Sequence, residues 1–300
     1  MAADVSAADE PAGAGPQGSA PAGAAAVRLD AISKRYGEVR ACDTVALVLR
    51  RGRVHGVLGE NGAGKSTIMK IIIGLVLPDS GSITIDGTRV HLRDPLDADR
   101  YGIGMFHQHF SLVEPLRVWE NVALGEAGSL RPAEVRNRIV EISDRYGLDV
   151  DPDAVVGVLP VCMRQRVEII KCLRRDPSIL IFDEPTSVLT PAESQVLFET
   201  LRHVVAEEGR AVALVSHKLD EILKATDEVT IMRQGRVVDH VDTASVDAAA
   251  LATAMVGRAV SLRSERVALG LVDTALEGTE VPETEHEAAP VVLRLDEVTV

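Results

Sequence analysis

Long apolar runs are missing from this 300-residue sequence, which argues against a chain that crosses a membrane. No uninterrupted apolar stretch approaches the roughly 20 residues that a helix needs to span a bilayer. The richest stretch, residues 68–77, is broken by Lys70 and Gly74. The N-terminus also lacks a basic segment followed by an apolar core, so we expect no secretory signal. A composition of 46% hydrophobic and 26% charged residues is typical of a globular protein.

Cysteine and positive charge are also scarce. The three cysteines, Cys42, Cys162 and Cys172, form no C-x-x-C pair, which argues against a disulfide framework and suits a reducing cytosol. The 32 lysines and arginines are outnumbered by 45 aspartates and glutamates, for a formal net charge of −13. This balance argues against a general nucleic-acid binder, which would carry a basic patch, although a local basic site stays possible.

The clearest chemical signal is in residues 59–67, which read GENGAGKST. They match the phosphate-loop pattern G-x-x-x-x-G-K-[ST], after an apolar strand at 54–58 and before an expected helix at 67–77. Glycines let backbone N–H groups turn towards phosphate oxygens, next to the positive end of a helix. Lys65 is then expected to reach the β- and γ-phosphates, and the Ser66 hydroxyl to ligate magnesium. The predicted nucleotide-binding residues of this loop are Gly59, Asn61, Gly62, Ala63, Gly64, Lys65, Ser66 and Thr67.

Strand and helix signals alternate along the chain. The predicted helices are residues 132–146, 163–174 and 191–208, and the predicted strands are 27–36, 44–49, 82–85, 103–106, 179–182, 211–215 and a hairpin bent at 234–235. Alternation of this kind around a phosphate loop predicts an α/β fold with a mostly parallel core sheet.

Shifts in composition divide the sequence into segments. These are a disordered tail at 1–26, a nucleotide-binding domain at 27–260, a linker at 261–290 and a final segment at 291–300. The triplet Arg-Leu-Asp at 28–30 recurs at 294–296. This repeat predicts that 291–300 is the first strand of a second, truncated domain copy, with chance similarity of two acidic strands as the alternative.

Residues 179–186, ILIFDEPT, place two carboxylates at the C-terminal end of a buried strand, where α/β sheets bind ligands. Asp183 is the candidate magnesium ligand, directly or through water, and Glu184 is the candidate general base. His217 follows another strand and is a candidate to contact the γ-phosphate and hold the attacking water. Gln108 is a candidate to sense magnesium and that water from a loop. A solvated acidic pair and a surface or core-edge histidine are the alternatives without function.

Five motifs in order, GENGAGKST, HQHF, LPVCMRQRVEI, ILIFDEPTSVLT and SHK, resemble the ATP-binding subunit of ABC transporters over residues 27–258. The resemblance implies a P-loop NTPase (RecA-like) core with an antiparallel β subdomain and a helical subdomain. It implies that two such units sandwich two ATP molecules head to tail. It also implies that Tyr36 stacks on adenine, that Gln108 lies in the loop that touches the membrane partner, and that residues 187–190 communicate between the sites.

Longer phrases, such as GMFHQHFSLVEPLRVWENVALG and VSHKLDEI, resemble importers of nucleosides and simple sugars. This implies as partners membrane permease subunits, an extracytoplasmic solute-binding protein and a second nucleotide-binding half, at the cytoplasmic face of the cell membrane. One alternative is a soluble ABC protein that acts on ribosomes or DNA, but the spacing from Lys65 to Leu159 leaves no room for a long helical arm. Another is a non-hydrolysing clamp, against which Glu184 and His217 argue.

The signature segment departs from the family pattern. It comprises Leu159, Pro160, Val161, Cys162 and Met163. The general pattern is LSGGQ and the nucleoside-importer variant resembles LPVGMQQ, whereas this chain reads LPVCMRQ. A Cβ and a sulfur at Cys162 would crowd the approach of the helix N-terminus to the γ-phosphate bound by the opposing half, and Pro160 lacks the serine hydroxyl. We therefore expect two unequal sites, with the site completed by Cys162 weakened.

Overall fold

The computed structural model describes residues 23–106, 111–125, 131–187 and 189–257, and these form strands and helices in α/β order. The strands are β1 (Ala25–Tyr36), β2 (Val39–Arg50), β3 (Arg53–Leu58), β4 (Ser80–Ile85), β5 (Thr88–Val90), β6 (Ile103–Phe106), β7 (Ile179–Asp183), β8 (Ala211–Ser216), β9 (Glu228–Arg233) and β10 (Arg236–Asp242). The helices are α1 (Lys65–Ile72), α2 (Pro95–Arg100), α3 (Val118–Ala123), α4 (Pro132–Tyr146), α5 (Val161–Leu173), α6 (Pro191–Glu208), α7 (Leu219–Ala225) and α8 (Ala248–Val256).

Two sheets organise these elements. A four-stranded antiparallel sheet has the order β2-β1-β4-β5, and a six-stranded sheet has the order β10-β9-β3-β8-β7-β6. In the larger sheet β9, β3, β8, β7 and β6 are parallel and β10 is antiparallel at one edge. The predicted α/β class with a mostly parallel core sheet and an antiparallel β part is confirmed.

The central strands bury both of their faces, as parallel strands covered on both sides do. Along β7, Ile179 and Ile181 belong to one core cluster, which also contains α1 and β1 side chains. Leu180 and Phe182 belong to the other cluster, which contains side chains of α3, α4, α5 and α6. The strand alternation therefore packs the antiparallel sheet and α1 on one face and the helical part on the other.

Strand register brings three chain turns to one edge of the parallel sheet. Leu58 of β3 pairs with Ser216 of β8, and Asp183 of β7 pairs with Val215. The residues that follow these strands therefore leave the sheet at the same edge, where ligands of open α/β sheets bind.

Several element boundaries differ from the sequence prediction. Strand β1 starts at Ala25, inside the predicted tail 1–26, because Ala26 is fully buried and the Arg51 backbone hydrogen-bonds to Gly23 and Ala24. Helix α1 starts earlier than the predicted 67 and ends at Ile72 rather than 77. Gly74 there has φ +72°, and a Cβ on it would lie 2.5 Å from the Asp94 carbonyl oxygen, so the chain turns away from the helix.

Helix α5 starts at Val161, before the predicted 163, and Pro160 is its N-cap. Five short elements, β5, α2, α3, α7 and α8, have no counterpart in the prediction. Gln108, the linker at 261–290 and the strand predicted at 291–300 lie outside the described residues. Within the described ranges, no helix combines the length and the apolar character that crossing a bilayer requires.

Candidate nucleotide-binding site

Residues 59–64 connect β3 to α1, and two glycines of this loop adopt backbone conformations that other residues rarely adopt. Gly62 has φ +81° and Gly64 has φ +105°. A Cβ on Gly64 would also lie 2.4 Å from the Ala41 carbonyl oxygen, and one on Gly59 would lie 2.4 Å from the Met232 carbonyl oxygen. The loop therefore requires glycine for its own curvature and for its close contact with neighbouring backbone.

The turn between β9 and β10 supports the loop from behind. The Gly235 N–H donates to the Ala63 carbonyl at 3.0 Å, and the Asp43 N–H donates to the Gly235 carbonyl at 2.8 Å. The Cys42 thiol is buried beneath Gly64, and burial raises its pKa to about 11, so it is a packing group rather than a reactive thiol. The sequence predicted Gly235 only as a hairpin bend. No local signal indicates that this bend contacts the phosphate loop.

Lys65 begins α1 and folds back over the loop that precedes it. Its Nζ donates to the Gly59 carbonyl at 2.7 Å and to the Glu60 carbonyl at 3.0 Å, and the residue is 4% exposed. Burial lowers the pKa of the Lys65 ammonium, and the nearby carboxylates of Glu184 and Asp183 act in the opposite direction. The ammonium, the loop and both carboxylates thus share one electrostatic environment.

Asp183 ends β7 as a buried residue, and Glu184 leaves the strand with φ +47°. A positive φ is uncommon for a residue other than glycine and is often found at functional sites. The Glu184 N–H donates to the Val215 carbonyl at 2.9 Å, which fixes this conformation against β8. The Glu184 Oε1 lies 3.0 Å from the Nδ1 of His217, the first residue after β8. The structure therefore brings together the two residues that sequence reasoning named as base and water holder.

The remaining predicted site residues are less constrained. Tyr36 ends β1 with 48% of its surface exposed, and the Lys34 Nζ lies 5.8 Å from its ring centroid. Asn61 and Ser66 are exposed on the loop and on the first turn of α1. Gln108 lies outside the described residues, so the structure places it neither inside nor outside the site.

The residues present fit a nucleoside triphosphate with magnesium. Positive-φ glycines and Lys65 provide donors for phosphate oxygens, while the Asp183 carboxylate and the Ser66 hydroxyl are oxygen ligands of the kind that Mg²⁺ prefers. Among the described residues, no group of three or more His, Cys, Asp or Glu side chains forms a complete metal cage. Mg²⁺ is usually held by one or two protein groups together with substrate phosphates.

Comparisons with known proteins agree with this geometry. The family model described as ABC transporter matches residues 42–187. The chain belongs to the ABC transporter family. It is 42% identical over 255 residues to the nucleoside import ATP-binding protein NupA of Lactococcus lactis, covering 84% of this chain and 50% of that protein. It is 44% identical over 278 residues to the glucose import ATP-binding protein TsgD13 of Haloferax volcanii, covering 81% and 50%.

The chain spans about half the length of the curated relatives that it matches. Among solved structures, it resembles the dimeric bacterial ABC transporter cassette MJ0796 with a TM-score of 0.65 and 26% identity. That match covers 72% of this chain and 98% of the cassette. The fold of this ABC chain is therefore that of ATP-binding cassettes.

The signature segment of this ABC chain is fixed by Arg164. Its Nε donates to the Leu159 carbonyl at 3.0 Å and its Nη2 to the Gly157 carbonyl at 2.9 Å, while its Nη1 lies 2.8 Å from Glu114. The departure from glutamine at this position thus ties the turn before α5 to the segment that follows β6. Sequence reasoning noted the substitution but did not predict this contact.

Cys162 lies in the first turn of α5, against the start of α6. It lines a cavity of about 180 Å³ together with Leu189, which precedes α6, and side chains of the two helices that include Glu193. The Glu193 carboxylate accepts hydrogen bonds from the Thr190 N–H at 2.8 Å and from the Thr190 hydroxyl at 2.9 Å, and these contacts lower its pKa. Val158 and Val161 beside it are 80% and 47% exposed. The segment therefore presents an exposed apolar turn, and Cys162 lies beside the start of α6.

Proposed function

We propose that this chain is a nucleotide-binding half of an ABC import ATPase. The observation that carries the proposal is the 3.0 Å contact between Glu184 and His217 beside the buried Lys65, at the edge where β3, β7 and β8 end. A solvated acidic pair would not require the left-handed Glu184 backbone or a histidine partner. Hydrolysis is therefore favoured over a clamp that only binds nucleotide.

Phosphoryl transfer requires positioning and charge stabilisation more than covalent chemistry. Loop N–H groups and Lys65 would bind the β- and γ-phosphates. Glu184 would accept a proton from the attacking water, and the His217 Nδ1–H, by donating to Glu184 Oε1, would keep that carboxylate oriented. Asp183 and Ser66 would hold Mg²⁺, which supplies charge neutralisation on the phosphates when bound.

A second nucleotide-binding half would complete the site. The solved cassette MJ0796 is described as dimeric, and another structure of it as a post-hydrolysis state bound to ADP and Pi. This chain covers about half of its curated relatives, which suits one half of a tandem ATPase. In such a head-to-tail pair the signature segment of one half would contact the nucleotide on the phosphate loop of the other.

Import is the transport direction that the relatives support. Two relatives are described as importing nucleosides and glucose, and another as importing ribose. We infer that this chain energises uptake of a nucleoside or simple sugar, with permease subunits and an extracytoplasmic solute-binding protein as partners at the cytoplasmic face of the membrane. Recovery of the chain with membranes only when permease subunits are present would support this assignment; equal recovery without them would contradict it.

Mixing two variants of this chain tests both the proposed hydrolysis and the proposed weakening of the site by the signature segment. The catalytic copy is the wild-type chain, and the signature copy carries Pro160→Ser, Cys162→Gly and Glu184→Gln. Pairing places an intact Glu184 opposite a restored signature, while the other site lacks its base. We expect ATP turnover of the mixture to exceed that of either copy alone by at least about tenfold, because a helix N-terminus can then approach the γ-phosphate.

The control signature copy carries Glu184→Gln alone and keeps Pro160 and Cys162. Its mixture with the catalytic copy should turn over ATP no faster than the catalytic copy by itself. Equal rates with both signature copies would show that Cys162 does not weaken the site. No turnover in any mixture, with ATP binding intact, would contradict hydrolysis.

A further inference from the structure

Glu221 is a buried carboxylate that the hydrolytic scheme above does not use. It lies in the first turn of α7 and is 9% exposed. Its Oε1 accepts from the Thr186 hydroxyl at 2.5 Å, and its Oε2 accepts from the Ser216 hydroxyl at 2.8 Å. The Lys218 Nζ lies 2.9 Å from Oε1. Both oxygens are thus engaged by groups from two separate chain segments.

These partners flank Glu184 and His217 in the chain. Thr186 follows Glu184 closely on the segment after β7, and Ser216 and Lys218 stand on either side of His217. The Ser216 hydroxyl also accepts from the Lys218 N–H at 3.0 Å, and the Lys218 Nζ donates to the Thr186 carbonyl at 3.3 Å. Glu221 is therefore the point at which the backbone around Glu184 is tied to the backbone around His217.

We propose that Glu221 is a positioning residue that holds His217 against Glu184 for hydrolysis. The proposal rests on the function proposed above and assigns Glu221 no contact with nucleotide. Its physical basis is that a misplacement of about 1 Å in an active site can reduce rate by about 100-fold. Here a single carboxylate fixes both loops whose side chains must stay 3.0 Å apart.

The contacts of Glu221 differ in what they contribute. The Lys218–Glu221 ion pair joins residues on adjacent turns, and the lysine side chain is 43% exposed, so it contributes little to stability. The two buried hydroxyl contacts are the ones that link the loops. Loss of the Glu221 carboxylate should therefore disturb the contact between Glu184 and His217 more than it disturbs nucleotide binding.

The test replaces Glu221 with glutamine in the catalytic copy and measures turnover in the mixture with the restored signature copy. We expect kcat to fall by about tenfold or more while the KM for ATP changes less than about twofold. Asp220→Asn is the matched control, because Asp220 is the exposed neighbouring acid on the same helix and undergoes the same loss of charge. Its kcat should equal that of the wild type.

A double variant separates positioning from general destabilisation. If Glu221 acts through His217, adding Glu221→Gln to His217→Ala should cause no further loss of kcat. An additive loss in that background, or an unchanged kcat in the single variant, would overturn the proposal. Should Glu221→Gln fail to fold, Thr186→Val and Ser216→Ala interrupt the same contacts singly, and Thr186→Ser should retain more activity than Thr186→Val.

A spectroscopic readout keeps the inference independent of the proposed ATPase activity. The imidazole ¹⁵N signals of His217, assigned with His217→Ala among the eight histidines, report its hydrogen bond to Glu184. In the isolated chain, Glu221→Gln should move these signals towards their positions in Glu184→Ala, and Asp220→Asn should leave them in place. Signals unmoved by Glu221→Gln would refute positioning even if no copy hydrolyses ATP.

Discussion

Replacing Glu184 with glutamine should reduce ATP turnover by about 10³-fold and leave ATP binding intact. Glutamine has nearly the same size but cannot accept the proton of an attacking water, and a general base contributes about 10²–10⁴-fold. The backbone contact from the Glu184 N–H to the Val215 carbonyl does not involve the side chain, so the local fold should persist. Turnover is measured as phosphate release by the mixture of the catalytic copy with the restored signature copy. Binding is measured by equilibrium titration with a fluorescent ATP analogue.

Glu207→Gln is a suitable control for this substitution. Glu207 is exposed on α6, so the same chemical change there should alter neither turnover nor binding. Turnover retained within about threefold in Glu184→Gln would remove Glu184 from the role of base. The 3.0 Å contact with His217 would then be a structural hydrogen bond only.

The positions of Glu184 and His217 were predictable because parallel strands carry strong sequence signals. The apolar runs at 179–182 and 211–215 become β7 and β8, which the structure buries throughout. Once both are assigned to one parallel sheet, Asp183, Glu184 and His217 must leave it at the same edge. The phosphate loop follows β3 for the same reason.

The residues that support Glu184, His217 and the phosphate loop were not predictable in the same way. Glu221 and Thr186 are separated by 35 positions, and neither belongs to a repeating apolar pattern that would locate it. Helix α7 is only seven residues long, too short for a clear helical period. Gly235 likewise indicated a bend, but its hydrogen bond to Ala63 depends on the pairing of β9 with β3, which are far apart in the sequence.

The structure shows which contacts the two unusual residues of the signature region make. From sequence, Cys162 is only a larger residue in place of glycine. In the structure Cys162 and Glu193, at the start of α6, line the same cavity, and Arg164 donates to the Leu159 and Gly157 carbonyls. The segment is thus ordered without the residues that family members use, so restoring glycine tests the approach to phosphate rather than the folding of the segment.

Replacing Lys65 with alanine should weaken ATP binding by about 100-fold. Lys65 is 4% exposed, and its ammonium lies near the loop carbonyls that it binds and the Glu184 and Asp183 carboxylates. Loss of one partner of a buried charged contact costs about 2–5 kcal/mol, and 2.7 kcal/mol corresponds to about 100-fold in Kd. Titration of the isolated chain with a fluorescent ATP analogue measures this without any need for pairing or turnover.

Lys70→Ala is the matched control for this binding experiment. Lys70 is exposed on the same helix, so its removal changes the net charge equally but leaves the loop untouched. Its Kd should stay within about twofold of the wild-type value. Because Lys65 also holds the Gly59 and Glu60 carbonyls, thermal unfolding of both variants should be compared at the same time. A folded Lys65→Ala chain with wild-type affinity would show that this loop does not bind the phosphates.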